Sequence, residues 1–192
     1  LGACKKKEEE PLSPKAAFSA SNLTVIVDEE IQFTNSSESA TAFKWSFGDG
    51  TISTEKSPKK AYQTSDNFTV TLVATGAGGS DVVETSVKVL PLCAFTVENE
   101  DALVENTPVQ FINASKGATS YQWSFGDAAN TTASTTDATF TYTASGTYTV
   151  TLKAITPVGE SMVSKTITVA GAPVIKELFY IEYNNSIIKK LT

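Results

Sequence analysis

A repeat with a period of about 80 residues constrains this chain more than its composition does. Phe43-Lys44-Trp45-Ser46-Phe47-Gly48-Asp49-Gly50 returns, 78 residues on, as Tyr121-Gln122-Trp123-Ser124-Phe125-Gly126-Asp127-Ala128. Ile31-Gln32-Phe33-Thr34-Asn35 returns at the same offset as Val109-Gln110-Phe111-Ile112-Asn113. Phe68-Thr69-Val70-Thr71-Leu72-Val73-Ala74 reappears 80 residues on as Tyr148-Thr149-Val150-Thr151-Leu152-Lys153-Ala154, and Val87-Lys88-Val89 as Ile167-Thr168-Val169. A two-residue insertion after the tryptophan motif accounts for the drift. A unit of about 80 residues is long enough to bury its own core and too long for a solenoid repeat. The 192 residues therefore hold two small domains with short ends.

Each unit reads as β-structure. Phe68, Val70, Leu72 and Ala74 alternate with Thr69, Thr71 and Val73, and Tyr148, Val150, Leu152 and Ala154 repeat the pattern, so each strand has one apolar face. Trp45 and Phe47 share a face by the same period, as do Trp123 and Phe125. Gly48-Asp49-Gly50, Thr64-Ser65-Asp66-Asn67, Gly76-Ala77-Gly78-Gly79, Ser145-Gly146 and Pro157-Val158-Gly159 punctuate the runs. Short strands with regular turns predict an all-β chain of two antiparallel sandwiches. No stretch holds helical periodicity long enough to compete.

Composition removes several chemistries. The chain has no His, and all fifteen of its basic residues are Lys. A Ser-His-Asp or Cys-His nucleophile system cannot be assembled, nor a histidine zinc site. The arginine fork for phosphate or guanine is missing too. A net charge of -6 disfavours nucleic acid, whose affinity comes mainly from neutralised phosphates. Carboxylate chemistry and the binding of calcium, sugar or protein survive. Asp28-Glu29-Glu30 and the group Glu98, Glu100, Asp101 and Glu105 precede equivalent strands in the two units. A glycosidase carboxylate pair could draw on them, but a small sandwich has no cleft of its own, so they read as solvated loops and the chain as no enzyme.

Trp45 and Trp123 admit two readings, a sugar-stacking platform or a buried anchor; the pairing with Phe47 and Phe125 favours the anchor. Asp49 and Asp127 are expected to accept backbone N–H bonds within a tight turn. Calcium is the disfavoured alternative, since each motif brings one carboxylate where several oxygens must converge. Gly48 and Gly126 permit the sharp turn, and Gly50 completes it in the first unit. Ala128 at the equivalent place argues against a positive φ there. Exposed aromatics able to meet a glycan would come from Phe43, Tyr62, Tyr121, Tyr180 and Tyr183, with Tyr62 more naturally in the core.

Trp-Ser-Phe-Gly-Asp-Gly followed by a Tyr and then Phe-Thr-Val-Thr-Leu resembles the PKD domain, an immunoglobulin-like sandwich. The second unit, with Trp-Ser-Phe-Gly-Asp, Thr-Tyr and Gly-Thr-Tyr-Thr-Val-Thr-Leu, is the more similar. The resemblance covers residues 16–170. It departs at Ser65-Asp66, where the family has Pro-Gly, and at Ala128, where the motif ends in Gly. Leu1-Gly2-Ala3-Cys4 resembles a bacterial lipobox, which implies cleavage before Cys4 and a lipid on its sulfur. Lys5-Lys6-Lys7-Glu8-Glu9-Glu10 behind it resembles a Bacteroidetes surface-export signal, although those are acidic directly after the Cys. Leu178-Phe179-Tyr180-Ile181-Glu182 through Leu191 reads as a hairpin and resembles the opening of a YWTD-like or NHL-like propeller blade.

The expected organisation is a residual signal peptide over 1–3, a lipidated flexible tether over 4–15, sandwiches over 16–90 and 91–170, and a C-terminal hairpin over 171–192. Both ends then read as truncated. Val89-Leu90-Pro91-Leu92-Cys93 is short and contains Pro, so the sandwiches should keep a restricted angle. Cys93 is expected as a small apolar residue of the joint; with Cys4 acylated it has no disulfide partner. The functional expectation is a non-enzymatic, lipid-anchored outer-membrane protein on the cell surface, the periplasmic leaflet being second choice. Its domains would act as spacer and interaction module for a protein partner or C-terminal domain, with no cofactor beyond the lipid. Strands of about 7 to 8 residues would give each core a length of about 25 Å. Polysaccharide capture is the alternative.

Overall fold

The computed structural model describes residues 10–173, 178–181 and 188–191. In the first domain β1 (Phe18–Ala20), β3 (Glu30–Asn35) and β6 (Lys59–Ala61) form one sheet in the order β1-β3-β6. The facing sheet has the order β2-β8-β7-β4-β5, from β2 (Thr24–Ile26), β4 (Ala42–Ser46), β5 (Ile52–Ser53), β7 (Asn67–Gly76) and β8 (Gly79–Leu90). The second domain repeats this with β9 (Phe95–Val97), β10 (Pro108–Asn113) and β13 (Ala138–Thr141) against β11 (Ser120–Ser124), β12 (Thr132–Ala133), β14 (Gly146–Thr156) and β15 (Gly159–Val169). Among the described residues the one helical element is a 3-10 turn at Glu100–Ala102.

The period-2 faces close on each other as two separate aromatic cores. Val25, Ile31, Phe33, Trp45, Phe47, Tyr62, Val70, Leu72 and Val87 fill the first. Val109, Phe111, Trp123, Phe125, Tyr142, Val150, Leu152 and Ile167 fill the second. Phe33 meets Trp45 at 5.7 Å and Phe47 at 5.7 Å between ring centroids, while Phe111 meets Trp123 at 5.9 Å and Phe125 at 5.6 Å.

Three expectations need correction. The sheets are not wholly antiparallel, because β2 pairs parallel with β8. The chain leaves the first sheet after β1 and continues onto the edge of the second, where its direction matches that of β8. The second domain keeps only a single parallel bridge there, Val104 to Ala170. The main hairpin strands are also longer than expected, at 10 and 12 residues for β7 and β8 and 11 each for β14 and β15. Their inward faces stay covered almost to the hairpin turn, with Ala74 and Ala154 fully buried. Finally, Lys15 belongs to the first domain rather than to a free tether. Its backbone exchanges hydrogen bonds with Glu38 at 3.0 and 2.9 Å, and the Asp81 carboxylate accepts the Ala16 N–H at 2.8 Å.

The domains meet end to end. Leu92 packs on the first core and Cys93 on the second. Leu92 exchanges backbone hydrogen bonds with Lys116, the Lys116 ammonium reaches the Asp28 carboxylate at 2.5 Å, and Ser65 Oγ lies 3.3 Å from Thr156 Oγ1. Ser161 Oγ donates to Pro91 O. Beyond the second domain, β16 (Leu178–Ile181) and β17 (Ile188–Leu191) pair antiparallel as a hairpin. Cys4 and Tyr183 lie outside the described residues.

Candidate functional site

The repeated motif builds one corner in each domain. The motif strand, β4 or β11, carries its tryptophan to the centre of the sandwich, where Trp45 and Trp123 are both fully buried. A buried indole N–H needs an acceptor. Trp45 Nε1 donates to Glu55 O at 2.9 Å and Trp123 Nε1 to Thr135 O at 3.0 Å. Phe47 and Phe125 are buried beside them, with no face left for a sugar. A tyrosine closes each corner: Tyr62 Oη donates to Phe47 O at 2.9 Å, and Tyr142 Oη to Phe125 O at 2.9 Å. Burial, with a neighbouring aspartate charge, pushes both phenols well above their ordinary pKa, so they remain hydrogen-bond donors.

The chain then turns at Gly48 and Gly126, at φ 80° and 70°. A β-carbon on Gly48 would come within 2.8 Å of Thr69 O, and one on Gly126 would collide with Thr149 O. Both turns lie flush against the next strand, so steric room as well as dihedral freedom requires glycine. Past this point the copies diverge. Asp49 Oδ1 accepts the Thr51 N–H at 3.0 Å and the Thr51 hydroxyl at 2.6 Å, two residues on. Asp127 binds the equivalent threonine four residues on, with Oδ1 2.8 Å from Thr131 N and Oδ2 2.7 Å from Thr131 Oγ1. The two-residue insertion therefore sits inside this turn. Gly50 has φ 86°, whereas Ala128 avoids positive φ and Asn130 takes it up at 54°.

The corners differ most in electrostatics. Lys60 lies opposite Ile31 on β6, and its ammonium contacts Asp49 Oδ2 at 2.5 Å and Thr51 Oγ1 at 2.9 Å. It also stands 5.6 Å from the Phe47 ring centroid and 5.2 Å from that of Tyr62. Partial burial works to raise the Asp49 carboxyl, but hydrogen bonds from Lys60 and Thr51 outweigh it and hold the group below the ordinary carboxylate value. The equivalent of Lys60, opposite Val109 on β13, is Phe140, which stacks on Phe125 at 4.4 Å with 5° between planes. Among the described residues no lysine pairs with Asp127, and its carboxyl is held down chiefly by the Thr131 hydroxyl. A cleft of about 400 Å³ opens beside it, lined by Asp127, Phe140, Tyr142 and Tyr148 among others.

Among the described residues no three acidic or cysteine side chains converge as a metal site. The acidic stretches, expected as solvated loops, are solvent-exposed or half-buried, and several of their side chains have partners. Asp28 and Glu30 pair with Lys116 and Lys59, Glu100 with Lys165, and Glu105 accepts the Ser145 and Ala172 N–H groups. Of the aromatics proposed for glycan contact, Tyr62 is buried, and Phe43 and Tyr121 are half-buried against the two cores. Phe140 and Tyr148 were not among them, although the Lys60-to-Phe140 exchange within an otherwise aligned repeat was a visible signal. Cys93 Sγ donates to Leu152 O at 3.2 Å, and burial pushes its thiol pKa up.

Two immunoglobulin-like sandwiches in tandem, each pinned by a buried tryptophan and a tyrosine bonded to the motif backbone, define a class of module typically without catalytic function. Residues 13–90 and 94–169 each match a family model described as the PKD domain, and the chain belongs to that family as two tandem copies. Among solved structures it is similar to the PKD1 domain of the Vibrio cholerae metalloprotease PrtV, at 28% identity over 41% of this chain and 98% of that one, TM-score 0.36. It is also similar to the PKD1 domain of Vibrio anguillarum Epp, at 25% identity over 42% of this chain and 96% of that one, TM-score 0.36.

Proposed function

We propose that this chain is a non-enzymatic, lipid-anchored surface protein whose two PKD domains form a stiff spacer and present an interaction surface away from the membrane. The joint is the observation that carries the spacer. An ion pair between Asp28 and Lys116, the Ser65–Thr156 contact and a proline linker engaged by Ser161 all hold the second domain on the end of the first. A free swing would break each of these at once. The twelve residues of β8, at about 3.3 Å each, span about 40 Å. Two domains end to end then reach on the order of 70 Å or more.

The anchor rests on Leu1-Gly2-Ala3-Cys4. Acyl chains at Cys4 gain about 0.8 kcal/mol per buried CH₂, and more than one chain is needed for stable attachment. Detergent phase partitioning of the protein from a bacterial host, wild type against Cys4→Ala, tests this. The anchor predicts that the variant leaves the detergent phase while both domains stay folded; unchanged partitioning refutes it. An accessory role in an outer-membrane complex follows from the same placement, and a pull-down from native membranes identifies the partner.

A further inference from the structure

We propose that the cleft beside Asp127 in the second domain is a binding site for an alkylammonium group, the head of a lysine side chain on a protein partner. The first domain supplies the template. There the chain's own Lys60 places its ammonium on the motif aspartate, against a threonine hydroxyl and over two aromatic rings. In the second domain the aspartate, the threonine and both ring positions are kept as Asp127, Thr131, Phe125 and Tyr142, but the lysine has become Phe140. None of the described residues lining the cleft is basic. Each Asp127 oxygen accepts one bond from Thr131 and keeps lone-pair capacity for another donor.

The walls suit a cation. Phe140 rests one face on Phe125 and is half-buried, so its ring contributes π-surface to the cleft. Tyr148 is tilted against Tyr142 at 4.1 Å, and its hydroxyl is anchored on Ala144 O at 2.8 Å. These rings are fixed before any ligand arrives, which limits the ordering cost of binding. A carboxylate beside aromatic faces attracts an ammonium through both its charge and the ring quadrupole. The cleft volume of about 400 Å³ falls within the range of small-ligand sites. The hydrogen bonds that hold the Asp127 carboxyl down keep it charged at neutral pH. This site is independent of the lipid anchor, because a chain lacking Cys4 would retain it.

The test is a titration of the whole ¹⁵N-labelled chain with n-butylammonium chloride, with n-butanol and glucose as neutral probes at matched ionic strength. The site predicts saturable shifts of the Asp127, Ala128, Ala129 and Tyr148 amides, and none at Asp49 or Thr51, where Lys60 already fills the corner. Asp127→Asn keeps the bond to the Thr131 N–H and should weaken binding by about tenfold or more. Phe140→Lys should abolish it by installing the first domain's arrangement, and Lys60→Phe should create a second site at Asp49. The proposal is overturned if butylammonium does not saturate, if butanol acts equally well, if glucose saturates these amides in its place, or if Asp127→Asn binds as wild type does.

Discussion

Tyr62→Phe isolates the interaction that closes the first corner. The ring is 1% exposed and stacks on Phe68 at 4.2 Å, so phenylalanine fills the same space. Only the hydroxyl is lost, and with it the 2.9 Å bond to Phe47 O. A hydrogen bond contributes about 1 kcal/mol net, and a buried carbonyl left without its partner costs about 1–3 kcal/mol. The expected destabilisation is therefore about 2 kcal/mol. With a urea m-value of about 1 kcal/mol/M for so small a domain, the midpoint falls by about 2 M. Each domain has a single tryptophan, Trp45 or Trp123, so 5-fluorotryptophan labelling gives one ¹⁹F resonance per domain and follows the two unfolding transitions separately. Tyr62→Phe should move the Trp45 transition and leave that of Trp123 within about 0.3 M. Tyr142→Phe should do the reverse, since its bond to Phe125 O has the same length. A shift of the Trp45 transition below about 0.5 M would show that the carbonyl is satisfied without the tyrosine and would refute the reasoning.

Gly126→Ala should destabilise the second domain by about 2 kcal/mol or more in the same assay, because positive φ is unfavourable for alanine and its β-carbon meets the Thr149 backbone. The Asp49 carboxyl has its pKa lowered in the folded state, so it contributes stability that is present above the unfolded pKa of about 3.9 and is lost as pH falls through the folded value. Asp49→Asn should flatten the acid limb of the first domain's stability profile, and an unchanged limb would count against the Lys60–Asp49 pair. Lys116→Ala should leave the stability of each domain within about 0.5 kcal/mol of wild type, since the pair with Asp28 is largely solvent-exposed. Combined with Ser65→Ala it should make the residual dipolar couplings of the two domains fit different alignment tensors. One tensor for both would place the stiffness in the linker alone.

Much of the architecture could be read directly from the residues. Alternation in Phe68–Ala74 and Tyr148–Ala154 is local, and it identified the buried faces of β7 and β14. The spacing of Trp45 to Phe47 put both side chains in the core for the same reason. The parallel edge at β2 was not legible, because strand direction depends on where the chain crosses between sheets. The full length of β7 and β8 was hidden too, since alternating Thr, Ser and Val do not mark where a strand ends. In the candidate site the Asp49 and Asp127 turns were anticipated from residue type, but nothing local in the sequence sets Lys60 apart from the other lysines, and Tyr148 read as one more residue of an apolar face.

Two β-domains of one kind follow from the chain's local patterns, since a period-2 alternation and a repeated motif are properties of neighbouring residues. What each polar group meets is set by the packing of the sheets. Asp49 and Asp127 occupy the same place in the same motif, yet one is neutralised by a lysine on the facing sheet and the other opens onto a cleft walled by Phe140 and Tyr148. The joint was settled the same way. Asp28 and Lys116, 88 residues apart, become partners only when two sandwiches stack end to end. Contacts between distant segments depend on how sheets pack, and side-chain order along one strand carries little record of that.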